Sequence, residues 1–238
     1  MAGLRRRIKE ASFRYLLRRA RFPQKAPLFG KVRLVIAFQS CWMAMSCARK
    51  RSRGGGDRQI ISLELPGDIL NLPSVFLGRA DHDVYSLTPA KVAEIPAAAF
   101  LKLVDIRPAI TRAVLKATLV EGAIHRETMV SLGRRDAKQR LAHFLCEHVT
   151  RMSVRGLGRD GSFDLPMTQQ QIADTIGLTA VHLNRMLAAL KKQGLVSHSG
   201  AVLKVIDLEE LKATAKFSDE YLNSRIEADI LEPIIRSR

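Results

Sequence analysis

Apolar and polar residues alternate from Arg58 to Leu65, with Ile61, Leu63 and Leu65 on one side and Ser62 and Glu64 on the other, which predicts a strand. Pro66-Gly67-Asp68 ends it as a turn. Val84 to Thr88 and Lys91 to Ile95 form two more short runs joined across Pro89, and such spacing predicts a compact antiparallel sandwich or roll. From Ala97 the period becomes helical, first through Val104 and then from Pro108, a residue suited to a first helical turn, to Leu132. Ile110, Val114, Ala117, Val120 and Ile124 make a stripe one face wide along this second segment. At about 1.5 Å per residue the helix outreaches what a small roll needs as a cap, so the stripe predicts a partner helix. Gly133 is expected to close it and Asp136 to cap the next helix, whose apolar positions are Leu141, Phe144, Leu145, Val149 and Met152. Gly156, Gly158 and Gly161 mark a loop, and Phe163 to Met167 a short extended piece.

The most specific pattern lies between residues 168 and 206. Thr168 precedes a two-turn helical run from Gln169 to Ile176, with Gln171 at the capping-box position. Gly177-Leu178 forms a tight turn, and Thr179 caps a second helix from Ala180 to about Gln193. Ile172, Ala173, Ile176, Leu178, Leu183, Met186, Leu187 and Leu190 fall where two steeply crossing helices share a core, the pattern of a helix-turn-helix. Gly194 stops the second helix, and Leu195 to Ser197 with Val202 to Ile206 read as a hairpin wing around His198-Ser199-Gly200. Helix N-termini at Thr168 and Thr179 suit phosphate oxygens. On the second helix, Ala180, Val181, Asn184, Arg185 and Ala188 face away from the core; small residues admit close approach to a major groove, arginine pairs with guanine and asparagine with adenine.

Charge changes the picture at one end only. The formal net charge of +16 suggests nucleic acid, yet residues 1 to 56 hold 15 Lys/Arg against one acid, and the remainder holds 24 against 22. That first stretch lacks the glycine turns of a roll and reads either as a basic arm, as a solvated segment, or as a stretch whose frame differs from that of its relatives. Leu34 to Ala48 is apolar for 15 residues but contains Gln39 and two serines, short of the roughly 20 that span a bilayer. Cys41, Cys47 and Cys146 are too few and scattered for a disulfide framework, so a reducing, cytoplasmic setting is expected.

The runs Gly133-Arg134-Arg135-Asp136-Ala137, Arg140 to Leu145, Leu165 to Thr179, Asn184-Arg185, Leu190 and Gly194-Leu195-Val196 together resemble the Crp/Fnr family of bacterial transcription regulators. Upstream, Arg58-Gln59-Ile60, Leu65 to Asp68 and Val92 to Pro96 resemble the later strands of that family's β-roll sensor domain. The resemblance implies an α+β chain. It would comprise an atypical basic segment (1–56), a cyclic-nucleotide-binding-like β-roll region (57–107), a dimerisation helix (108–132) and a winged helix-turn-helix domain (133–238). It implies a homodimer on a palindromic promoter in double-stranded DNA, with RNA polymerase as a further partner and no membrane. Base contacts are then expected from Val181, Asn184 and Arg185, and phosphate contacts from Thr168, Gln169, Gln170, Thr179, His182, Lys191 and Lys192. Ile110, Val114, Ala117, Val120 and Ile124 would form the dimer interface.

The chain departs from the family at several points. Val181 stands where members carry a glutamate, removing the usual partner for cytosine, while Arg185 keeps its place. The phosphate cassette of cyclic-nucleotide members is missing, since Gly67-Asp68 is followed by Asp81-His82-Asp83 with no arginine in register, so cyclic AMP is not expected as effector. An N-terminal cysteine cluster for iron-sulfur is also missing, and the effector stays unassigned. His143, Cys146 and Glu147 share a helix face, but a single such cluster reads as ordinary core and surface, as does His82 in a loop, and no metal is expected. A winged-helix protein-interaction module without specific DNA binding is the alternative. An enzyme is not expected, because no nucleophile-base pair, P-loop or Gly-rich fingerprint occurs.

Overall fold

The computed structural model describes residues 18–22, 33–37, 46–51, 58–79, 82–157, 162–199 and 202–224. Two compact units are formed, one by residues 1–50 and 63–111 and the other by 51–62 and 112–238. Among the described residues no helix is long and apolar enough to cross a membrane.

In the first unit, β1 (Arg18–Phe22) and β2 (Arg33–Ala37) flank β6 (Ala90–Pro96), both antiparallel to it. β3 (Ser46–Arg51) pairs antiparallel with β5 (Asp83–Ser86), setting Ala48 opposite Val84. Three strands thus come from the basic stretch, where neither glycine turns nor clean alternation announced them. The partner of β1 and β2 lies more than fifty residues away, so for these two the sheet register rather than local pattern defines them. β4 (Arg58–Glu64) precedes the expected turn: Asp68 N donates to Leu65 O at 3.0 Å and Leu65 N to Asp68 Oδ2 at 2.7 Å. Gly67 takes φ 102°, the left-handed value that follows proline in a type II turn. A helix the hydrophobic pattern did not reveal, α1 (Leu72–Leu77), buries Leu72 and Val75. It sets Phe76 edge-on to Phe100 of α2 (Ala97–Ile106), with ring centroids 6.3 Å apart. Asp83 is exposed, and Asp81 lies outside the described residues.

α3 (Pro108–Arg134) runs 27 residues, through Gly133 rather than closing on it. Glycine there stays helical because the chain turns only after Arg135, whose N–H still donates to Ser131 O at 3.2 Å. Asp136 then starts α4 (Ala137–Val154) with a capping box shared with Gln139. Leu141, Ala142, Leu145, Val149 and Met152 are buried at the expected spacing; Phe144 is half-buried.

α4 is the spine of the second unit. On it pack α5 (Gln169–Ile176), α6 (Ala180–Lys192) and α7 (Leu208–Ala215), the last an element for which the sequence pattern gave no expectation. Asp207 caps α7 through a bond from Glu210 N at 2.9 Å. A sheet ordered β7 (Ser162–Asp164), β9 (Val202–Val205), β8 (Val196–Ser199) completes the unit, all pairs antiparallel. Fully buried Leu141, Leu145, Met152, Leu183, Leu190 and Leu211 form its centre. Each contributes about 1.5 to 3 kcal/mol by leaving water, which fixes the angle at which α6 is held.

Candidate nucleic-acid interface

At the start of α5, Thr168 Oγ1 accepts from Gln171 N at 3.2 Å while Gln171 Oε1 accepts from Thr168 N at 2.7 Å. The capping box therefore uses the N–H of Thr168 itself, and the donors that remain at the helix mouth are those of Gln169 and Gln170. Gln170 Nε2 donates to Asp174 Oδ1 at 2.7 Å, one turn along the same helix. Gly177 ends α5 at φ 65°, and a Cβ there would stand 3.1 Å from Leu132 Cδ2. Arg140 Nη1 reaches the freed carbonyls, donating to Ile176 O at 3.0 Å and to Gly177 O at 3.3 Å. A cation at a helix C-terminus also meets the negative end of the helix dipole. Arg140 was visible in the sequence only as part of a motif, with no role attached, because its partners are carbonyls more than thirty residues away.

α6 opens on Thr179, whose Oγ1 accepts from His182 N at 3.2 Å. Leu183, Leu187 and Leu190 are buried and Met186 is half-buried. Val181 is 72% exposed, and Asn184, Arg185 and Ala188 are exposed with it, so the periodicity separates a core face from an open face, although Ala180, also expected on the open face, is half-buried. Asn184 Nδ2 donates across the motif to Gln169 Oε1 at 2.9 Å, bringing two expected contact residues together. His182 and Thr175 are half-buried, whereas Thr168, Gln169, Gln170, Thr179, Lys191 and Lys192 are exposed. The helix ends in a Schellman motif: Leu195 N donates to Leu190 O at 3.1 Å, Gly194 N to Lys191 O at 2.9 Å, and Gly194 takes φ 73°. Lys191 and Lys192 in its last turn, with exposed Lys204 on the wing strand β9, give this end a positive field.

Residues 139–214 match the Crp-like helix-turn-helix domain. The chain belongs to the Crp/Fnr family of DNA-binding transcription regulators. This Crp/Fnr regulator is 27% identical over 203 residues to the nitrogen fixation regulation protein FixK of Bradyrhizobium diazoefficiens, covering 85% of the chain and 84% of FixK. It is 31% identical over 150 residues to the transcriptional activator protein FnrL of Cereibacter sphaeroides, covering 61% of the chain and 59% of FnrL. The chain thus spans less than two thirds of FnrL. In fold it is similar to FixK2 from Bradyrhizobium japonicum, with a TM-score of 0.74, 23% identity, and coverage of 85% of this chain and 99% of that one.

The second unit holds a buried polar cluster around His143 on α4. His143 is 3% exposed, with Nε2 3.3 Å from Glu127 Oε1, which also accepts from Arg135 Nη2 at 2.6 Å. Its ring stacks on Tyr221 and meets Phe217 edge-on, with centroids 6.0 and 5.2 Å away. Burial, reinforced by the Arg135 charge and opposed by Glu127, pushes His143 down to about 4, so the ring is neutral near pH 7. Tyr221 Oη donates to Glu147 Oε2 at 2.7 Å. Burial raises the pKa of both, countered at Glu147 by Arg151 and by that hydrogen bond. Cys146 is fully buried, and burial pushes its thiol up to about 12. His143 and Glu147 share Tyr221 as a neighbour; among the described residues no group of three His, Cys, Asp or Glu side chains could hold a metal ion.

Proposed function

We propose that the regulator binds an inverted-repeat promoter site as a homodimer, reading bases with Asn184, Arg185 and Val181 from a major-groove α6. The observation that carries this reading is the separation of α6 into a leucine face locked in the core and an open face of Val181, Asn184, Arg185 and Ala188. Val181 offers an apolar contact for a thymine methyl, and Arg185 two parallel donors for guanine. Backbone N–H groups at the mouths of α5 and α6, with Thr168, Thr179, His182, Lys191 and Lys192, would grip phosphates on either side.

Support for a dimer comes from α3. Ile110, Val114, Ala117, Val120 and Ile124 are half-buried within one chain, while Leu115, Leu119 and Met129 on the adjoining face are 57, 60 and 72% exposed. The series Leu115, Leu119, Gly122, Arg126 and Met129 steps by four and three, the spacing of a two-helix seam. The interface is proposed to centre on this series, with the half-buried stripe at its margin. Action at promoters makes RNA polymerase the further partner and the cytoplasm the setting.

Selection of retained fragments from random duplex DNA, repeated across salt concentrations, tests the reading. Expected are an inverted-repeat motif and a steep fall of affinity with salt. Retention without any sequence preference would overturn it in favour of a winged helix used for protein contacts.

A further inference from the structure

Three consecutive glutamines open α5, and each has a different partner. Gln171 closes the capping box with Thr168, and Gln170 holds Asp174. Gln169 turns across the motif, its Oε1 accepting from Asn184 Nδ2 at 2.9 Å. Both residues of that pair are exposed. A solvent-accessible amide pair adds little to stability, because water offers each group an equivalent partner.

The bond does fix an orientation. A carboxamide presents a donor on one side and an acceptor on the other, and half a turn about its terminal bond exchanges them. A DNA phosphate only accepts, so at the mouth of α5 it holds Gln169 with Nε2 outward and Oε1 inward, toward Asn184. That Oε1 engages one hydrogen of Asn184 Nδ2. When that bond uses the hydrogen anti to Oδ1, the other hydrogen and Oδ1 stay side by side on the free edge of the asparagine, a donor beside an acceptor. This edge matches the N7 acceptor and N6 donor of adenine in the major groove.

Resting on the DNA-binding reading above, we infer that Gln169 is a specificity-determining positioning residue, transmitting hydrogen-bond polarity from a phosphate through Asn184 to one adenine in each half-site. Its contribution is to selectivity at that position and not only to backbone affinity.

The test uses the full chain and the duplex motif that the unmodified protein selects, with each of the four bases placed in turn at the position whose preference Asn184→Ala abolishes. Gln169→Lys keeps a donor for the phosphate but removes the acceptor for Asn184, so adenine preference there is expected to fall about five- to tenfold, within the range of one good base contact, with the salt dependence undiminished. Gln169→Glu keeps the acceptor and repels the phosphate, so affinity is expected to fall for all four duplexes while adenine preference persists. In the Gln169→Lys, Asn184→Ala double variant, discrimination should match that of Asn184→Ala alone. Unchanged thermal melts would show that all variants fold. Full adenine preference in Gln169→Lys, or a parallel loss for all four duplexes in both Gln169 variants, would overturn the inference and leave Gln169 a plain phosphate contact. Absence of any motif selected by the unmodified protein would instead overturn the DNA-binding reading on which it rests.

Discussion

Arg185 is exposed and His143 is buried in the same domain, and the two answer to different physics. Arg185 is exposed on α6, so its removal disturbs no packing. Arg185→Ala is expected to cost about 1 to 3 kcal/mol of specific binding and to relax preference at one base pair per half-site. Lys191→Ala or Lys192→Ala should weaken all sequences alike and lower the salt slope by about one. Binding titrations at two salt concentrations distinguish the two behaviours, and an unchanged motif in Arg185→Ala would remove α6 from base recognition. His143 instead affects folding. Its value in the folded chain is depressed from the ordinary 6.5 to about 4, so above pH 6.5 the neutral ring is carried without penalty in both states. As pH falls from 6.5 to 4 the unfolded chain takes up a proton that the folded chain refuses, and stability is lost by at most about 3 kcal/mol. Glu147, whose value is raised, acts in the opposite sense as pH rises above its ordinary 4.5. Denaturant melts of the unmodified protein and of His143→Asn should therefore diverge in slope between pH 6.5 and 4. Parallel curves would mean that the ring is protonated against Glu127 in the folded chain.

Among elements, α3 and the helices of the winged domain differ in how far sequence pattern alone describes them. Asp136, Thr168 and Thr179 cap their helices, and Gly177 and Gly194 end theirs at positive φ, all as expected, because caps and turns are decided within four or five residues of chain. The open and core faces of α6 follow from its leucine spacing for the same reason. Rotation of α3 is another matter. Periodicity marks Ile110, Val114, Ala117, Val120 and Ile124 as one apolar stripe, yet a second series through Leu115, Leu119 and Met129 is more exposed, and which one a partner covers depends on what the chain's own residues already shield. β1 and β2 were not legible because their register is set by distant β6, and β3, which lies between β4 and β5, carries no clean alternation of its own. The Asn184 to Gln169 bond was equally hidden, since it joins two helices through side chains fifteen residues apart. Leu119→Glu is expected to place a charge in the dimer seam and shift the protein to monomers that lose specific binding. Sedimentation at micromolar concentration checks this, and a dimer that survives both Leu119→Glu and Leu115→Glu would move the interface off this face.

For the whole molecule, two copies related by a twofold axis would present their α6 helices to half-sites about 34 Å apart, one turn of DNA. If the 15 Lys/Arg of residues 1 to 56 act as a basic arm, a salt slope steeper than the winged domain's cations alone would give is the expected outcome. Among the described residues between β4 and α2, Asp68 Oδ2 is taken by its own turn and Asp83 is exposed, and neither carboxylate suits an anion. Calorimetry with cyclic AMP and cyclic GMP is expected to show no micromolar binding, and such binding would require a cation from elsewhere to enter the roll.

A regulator whose reading amide is oriented from a neighbouring helix cannot be re-addressed by exchanging one element. Grafting residues 180–192 into another winged helix carries Asn184 and Arg185 but leaves behind the glutamine whose Oε1 accepts from Asn184 Nδ2. Tables that infer a target from α6 alone would then assign two sister proteins the same operator when they differ only at the first residue of α5. On that inference, the address of this protein is written across the turn, in two helices at once.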